Sequence, residues 1–88
     1  MEKENDAMEV IILLNDSFKI KKIENVKIIK INDELYNLFI GKDYWPVIGE
    51  INGDVDIEAD EHISYKNISG FYMLSHNIFH LTVKKMEE

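Results

Sequence analysis

The sequence predicts an all-β domain, a small antiparallel β-sandwich or flattened barrel of about eight to ten short strands. Apolar residues recur at short period over nearly the whole chain. Turn residues interrupt them roughly every eight to twelve positions, a spacing typical of such folds. The chain closes on a strand–turn–strand pattern over residues 68–83, and only a few charged residues follow it. We therefore expect no C-terminal helical hairpin.

Apolar runs separated by turn clusters make up the first half of the chain. Between Phe18 and Ile31, apolar residues alternate with lysines, and one slip in the pattern indicates a bulge or a strand buried on both faces. The runs cover residues 10–14, 18–31 and 35–40, and the turn clusters cover residues 15–17 and 32–34.

The second half begins with a loop over residues 41–46, whose exit is fixed by Pro46. A strand over 47–51 leads into Asn52-Gly53, and we expect a hairpin there because both residue types tolerate positive φ. The remaining signals are a strand over 55–57, a turn at 59–61, a strand over 63–68, and the closing hairpin with its tip at 75–77.

Composition limits both the fold and its partners. The 88 residues make one domain, 1–88, with a polar tail over 1–7 and a charged tail over 84–88. A chain this short buries only about 60–65% of its unfolded surface, so its margin of stability is small. The absence of Cys excludes disulfides and thiolate metal sites. A net charge of −7 would repel a phosphate backbone, so we expect no nucleic-acid partner.

The N-terminal residues are charged, which is unlike a signal peptide. No apolar run approaches the roughly 20 residues that span a bilayer. We therefore expect a cytoplasmic protein that reaches a membrane only through a partner.

Acidic residues at positions 54, 56, 58 and 60 have the first spacings of a calcium loop. The glycine of such a loop would fall at Ala59, and its bidentate Glu at Tyr65. Because these acids alternate with Val55 and Ile57, we interpret them as the solvent-exposed face of a strand.

Metal binding and catalysis gain no support from the remaining residues. His62, His76 and His80 are scattered, and we interpret them as surface residues, with no metal or cofactor expected. The four glycines stand singly, so there is no phosphate-binding loop. A strand rather than a helix follows Ser69-Gly70, unlike a nucleophile elbow. We therefore expect no enzymatic activity.

The segment Tyr44-Trp45-Pro46 carries the only Trp and the only Pro of the chain. Trp45 could plug one end of the sandwich. It could instead face a partner, because exposed Trp and Tyr dominate interface hot spots. The sequence leaves both interpretations open.

Three stretches, at residues 10–29, 39–48 and 68–83, together resemble the N-terminal β-sandwich of the epsilon subunit of F-type ATP synthases, which is the delta subunit of the mitochondrial enzyme. The middle stretch has the family's apolar pair, turn and Pro46, with Tyr44 at the usual His. The closing stretch has Ile68-Ser69-Gly70-Phe71, with one glycine of the family pattern missing. The family's glycine–acid–glycine stretch is also absent from residues 35–39.

This resemblance implies a non-catalytic rotor subunit that packs on a gamma-like stalk subunit and touches the membrane rotor ring. The residues it places toward those partners are Asn37, Tyr44, Trp45, Pro46 and Gly49. In the family, C-terminal helices inhibit ATP hydrolysis and in some members bind ATP, so we expect neither function here. The alternative is a free-standing acidic β-sandwich that binds or inhibits another protein. A third possibility is an epsilon-like subunit of a specialised ATPase.

Overall fold

Seven β-strands form one mixed sheet in the computed structural model, which describes residues 8–15 and 19–86, with side chains as far as Lys84. The strands are β1 (Met8–Leu14), β2 (Lys19–Val26), β3 (Ile28–Asp33), β4 (Asn37–Ile40), β5 (Val47–Glu58), β6 (His62–Ser75) and β7 (Ile78–Met86). Their order across the sheet is β2-β1-β7-β6-β5-β3-β4. The prediction of an all-β domain is confirmed.

The first and last strands, β1 and β7, pair in parallel near the middle of the sheet, with Val10 opposite Phe79. The other ladders are antiparallel. The sheet is therefore mixed, whereas the sequence suggested antiparallel pairing throughout. A parallel pair needs a long connection, and here five strands lie between its members in the chain.

Two layers arise because the neighbours of β5 and β6 change along their length. Residues 68–75 of β6 pair with β7, whereas residues 53–58 of β5 pair with β3. The first layer therefore contains β1, β2 and β7, together with residues 69–75 of β6 and residues 47–52 of β5. The second layer contains β4, β3 and the remaining halves of the two long strands. A bulge between Gly53 and Val55, and a positive φ at Asn67, mark the boundary at which the strands bend.

A single apolar core lies between the layers. Alternate residues of the strands point into it, as the period of two requires. The residues below 2% exposure with the largest side chains are Phe79, Met8, Ile12, Ile29, Ile31, Ile40, Ile51, Ile57, Ile68, Leu74, Leu81 and Val10. Each such side chain contributes about 1.5–3 kcal/mol when fully buried. Because one flat sheet could not enclose them, the sheet must fold over on itself, although it does not close into a barrel.

The prediction of a hairpin at Asn52-Gly53 is wrong, because β5 runs through both residues and neither has a positive φ. The backbone N–H of Asn52 donates to the carboxylate of Asp33 at 2.6 Å, and its carbonyl accepts from the N–H of Glu34 at 3.2 Å. Gly53 lies against the backbone of Asn32, where a Cβ would collide with the carbonyl oxygen. The glycine thus permits close strand approach, and the strands are fewer and longer than expected.

The tip of the closing hairpin is confirmed at His76-Asn77, which join Ser75 to its partner Ile78. Their φ angles of 54° and 63° are those of a type I′ turn. The turn over 59–61 and the loop over 41–46 are also present. Strand β7 continues to Met86, so residues 84–86 of the expected charged tail are strand, and residues 87–88 lie outside the described residues. The expected tail over 1–7 lies outside the described residues.

Gly70→Ala should destabilise the domain, because the new Cβ would collide with the carbonyl oxygen of Thr82 in the adjacent strand. Overpacking of this kind costs about 1–3 kcal/mol. The matched control is Gly41→Ala, since no atom lies within 4 Å of a Cβ at that position. Urea unfolding of the two variants tests this. Equal midpoints would contradict the close approach of β6 and β7 at Gly70.

A candidate protein-docking face

The outer surface of the first layer is apolar, although alternation would normally leave it polar. We call this surface the apolar face and define it by six residues from four strands: Ile11, Leu13, Ile20, Ile48, Phe71 and Met73. Ile48 and Ile20 are 76% and 71% exposed, and Phe71 and Met73 are 47% and 42% exposed. Contiguous exposed apolar surface on a small domain marks a site of interaction.

Ladder register aligns the members of the apolar face in two rows that cross the strands. One row contains Ile48, Met73, His80 and Ile11, and it ends at Lys22. The neighbouring row begins at Glu50 and continues through Phe71, Thr82, Leu13 and Ile20. With strands about 4.8 Å apart, five of them make a surface roughly 20 Å wide. That width accommodates an α-helix, whose diameter is about 10–12 Å with side chains.

The outer surface of the second layer is different, because it is mostly polar and charged, with Ile28 and Phe39 as its apolar members. Lys30 and Glu58 approach to 3.9 Å, and His62 lies 3.5 Å from Asp56. The hydroxyl of Ser64 donates a hydrogen bond to Asp56, and this bond lowers the pKa of the Asp56 carboxyl against the opposing effect of burial. The acidic residues of this strand therefore face solvent, as expected. The two outer surfaces of one small domain thus differ sharply in polarity.

The loop over 41–46 presents Trp45 to solvent beside the start of β5. Trp45 is 81% exposed, so it does not plug the end of the sandwich. Tyr44 packs against the core instead. The backbone N–H of Asp43 donates to the side-chain oxygen of Asn77 at 2.6 Å, and the Asn77 amide donates to the Asp43 carboxylate at 3.1 Å. These bonds fix the loop on the β6–β7 turn, with Trp45 and Pro46 exposed close in sequence to Ile48.

Gly49 faces inward and lies opposite Tyr72, where a Cβ would collide with the tyrosine hydroxyl. Its missing side chain leaves room for a pair of phenols. The Tyr36 hydroxyl donates to the carbonyl of Glu50, so the Tyr72 hydroxyl must donate to Tyr36 at 2.9 Å. Burial, followed by the hydrogen bond with Tyr72, raises the pKa of Tyr36. Gly49 therefore shapes the interior in this structure.

Asn37 lies on β4, opposite Asn32, in the second layer. The fold consequently does not gather all five residues that the sequence directed toward a partner. Trp45 and Pro46 lie in sequence beside Ile48 at the apolar face, Tyr44 and Gly49 face the interior, and Asn37 lies on another surface.

Sequence reasoning missed the apolar face because it identified residues 10–14 only as an apolar run and did not ask which faces of the strand they occupy. Five consecutive apolar residues in a strand place apolar groups on both faces. One face, with Val10 and Ile12, is fully buried in the core, and the other carries Ile11 and Leu13. Consecutive apolar residues recur at positions 71–74, where Phe71 and Met73 are exposed. Such uninterrupted apolar runs in strands were the sequence signal that indicated an apolar outer surface.

The histidines occupy separate places. His62 lies beside Asp56, His76 lies beside the Ser75 hydroxyl at 3.0 Å, and His80 stands in the first row of the apolar face. Nδ1 of His80 is buried without a hydrogen-bond partner among the described residues. Within residues 8–15 and 19–84, no three His, Cys, Asp or Glu side chains group as metal ligands would. No helix long and apolar enough to cross a membrane occurs in the described chain.

Comparison with protein-family models found no match for the chain, and no curated protein is significantly similar to it.

Trp45→Ala should leave the stability of the isolated domain within about 0.5 kcal/mol of the original, because exposed side chains contribute little to folding. Thermal unfolding followed by circular dichroism measures this. A large fall in melting temperature would show that Trp45 packs in solution as a core residue.

Tyr36→Phe should flatten the alkaline loss of stability. A tyrosine whose pKa is raised on folding contributes stability that is intact below about pH 10, the pKa in the unfolded chain, and lost as pH rises toward the folded value. Removing the hydroxyl removes that contribution. Urea unfolding at pH 8 and at several values above 10 measures the slope. An unchanged slope in Tyr36→Phe would contradict the buried phenol pair.

Proposed function

We propose that the protein is a non-catalytic central-stalk subunit of an F-type or F-like rotary ATPase. The observation that carries this proposal is the apolar face, with four strands presenting exposed or half-exposed apolar side chains on one side of a two-layer sheet. Such a surface suits a permanent protein partner, since obligate interfaces resemble a divided hydrophobic core. The sequence resemblance to the epsilon subunit names the class of partner.

In this role, the apolar face packs on a gamma-like subunit. A helix of a coiled coil fits a surface about 20 Å wide, because its apolar stripe can lie along the two rows. Trp45 and Pro46 extend the contact at the start of β5, where they stand exposed. The polar outer surface of the second layer faces water. The subunit thereby lies at the cytoplasmic side of a membrane, touches the rotor ring, and reaches the membrane itself only through these partners.

Docking on a partner would also stabilise a domain of this size. A small domain has little stability to spare. A partner that binds only the folded state adds to its stability by mass action. Covering Ile48 and Ile20, each more than 70% exposed, removes apolar surface from water that folding alone leaves wet.

The alternative is a free-standing protein that binds or inhibits a different protein through the same face. The two roles differ in what the chain binds in its own cell. Recovery of ATPase subunits with the tagged chain from native extract supports the stalk role. Recovery of none would refute it and leave the alternative.

Phe71→Glu should reduce co-purification with a co-expressed gamma-like subunit at least about tenfold, because truncating or charging an interface anchor costs more than about 1.4 kcal/mol. The matched control is Phe39→Glu, which makes the same substitution at another exposed Phe, on the outer surface of β4. Melting temperatures of both variants verify folding. Equal loss in the two variants would show that the apolar face does not bind the partner.

A further inference from the structure

Strand β5 has a free edge along part of its length. Strand β3 pairs only with residues 53–58, whereas β6 covers the other side of β5 throughout. Both backbone groups of Asn52 point toward the uncovered side, where they bond to Asp33 and Glu34. In an antiparallel strand, the two backbone groups of a residue point the same way and every second residue repeats the direction. Glu50 and Ile48 therefore also point toward this free edge.

Part of the free edge is already satisfied. The Tyr36 hydroxyl donates to the carbonyl of Glu50. Within the described part of the chain, no hydrogen bond reaches the N–H of Glu50 or the N–H and carbonyl of Ile48. Both residues are exposed. These groups are those with which an added strand would pair.

The two terminal strands of the sheet are protected in ways that this edge is not. Strand β2 carries lysines at 19, 21 and 22, and β4 is only four residues long. Charged side chains and short length are the usual protection against edge pairing. Pro46, which has no N–H, limits pairing at one end of the β5 edge, and the Asn52 bonds limit it at the other. A pairing segment of a few residues remains open.

A cleft of about 480 Å³ lies between this edge and the turn after β3. Among the residues that the structure describes, its lining includes the acids Asp33, Glu34 and Glu50 and no basic residue. Leu35 and Ile48, which are 90% and 76% exposed, add apolar surface to the same cleft. The cleft thus combines unpaired backbone groups, negative charge and apolar contacts.

We propose that the free edge of β5 accepts an extended, basic segment of a partner protein as an additional strand. The segment pairs with Ile48 and with the N–H of Glu50. Because side chains alternate along a strand, its basic residues can face Glu34 and Glu50 while its apolar residues contact Leu35. A second copy of this chain fits poorly, since its net charge is −7 and pairing would bring acid-lined clefts together. The argument for this binding does not rest on the stalk role, although Ile48 also belongs to the apolar face.

Amide hydrogen exchange, measured by NMR on the labelled full chain, tests the proposal. The probe is a capped synthetic peptide of alternating lysine and valine. We expect the peptide to slow exchange at the amides of Ile48 and Glu50 at least about tenfold, as new hydrogen bonds do. The Asn52 amide, already bonded to Asp33, serves as an internal reference. The same peptide with N-methylated amides should give no protection.

Glu50→Lys should weaken binding of the unmethylated peptide about tenfold, whereas Glu61→Lys should leave it unchanged. Both residues are exposed, but Glu61 lies in the β5–β6 turn, away from the free edge. Equal weakening by the two variants, protection elsewhere in the chain, or equal binding of the methylated peptide would overturn the proposal. Protection that rises with protein concentration without peptide would overturn it in favour of a second copy. The stalk role is tested by co-purification with ATPase subunits, so failure of one proposal is distinguishable from failure of the other.

Discussion

The pairing of β5 with β6 is the one ladder that belongs to both layers of the sheet. It runs the length of both strands, from Val47 opposite Leu74 to Glu58 opposite His62. Every other strand attaches to one layer only. The bend near Gly53 and Asn67 therefore decides how the layers face each other and which residues of each strand are enclosed. Gly53 permits this arrangement, because its backbone lies too close to Asn32 for any side chain.

The division between enclosed and outer surfaces then decides which side chains remain available to a partner. With a period of two, each strand gives one set of side chains to the core and the other to the outside. In the second layer the outer set is mostly polar or charged, whereas in the first layer it is mostly apolar. The first layer is consequently built like a strand layer that is covered on both sides. The domain buries one of these sides by itself, and we attribute the other to a partner.

Much of the fold follows from local sequence signals. The type I′ turn at His76-Asn77 and the loop before Pro46 depend on residues adjacent in the chain, and both are where the sequence predicts them. Asn52-Gly53 carries an equally strong local signal and fails. Asp33 and Glu34, distant in sequence, bind the backbone of Asn52 and hold it extended. A local preference of about 1 kcal/mol yields to hydrogen bonds and packing supplied by another strand.

The candidate site was harder to predict for a related reason. Alternation shows which residues share a face, but the order of strands decides which faces are covered. That Phe71 and Leu13 stand in one row depends on β7 lying between β6 and β1. Trp45 was undecided because its exposure depends on the bonds between Asp43 and Asn77. The inward position of Gly49 likewise depends on Tyr72, which pairs with it from another strand.

The parallel pairing of β1 with β7 has a consequence for how the chain reaches its fold. Val10 can pair with its neighbour Phe79 only after residues 11–78 have been synthesised. Until then β1 can pair only with β2, and a two-stranded hairpin is at best marginally stable in water. Closing so long a connection costs chain entropy before any contact repays it, and folds dominated by such pairings form in milliseconds to seconds. During that interval the apolar residues on both faces of β1 are open to water, to chaperones, and to the partner that we expect to cover one of them.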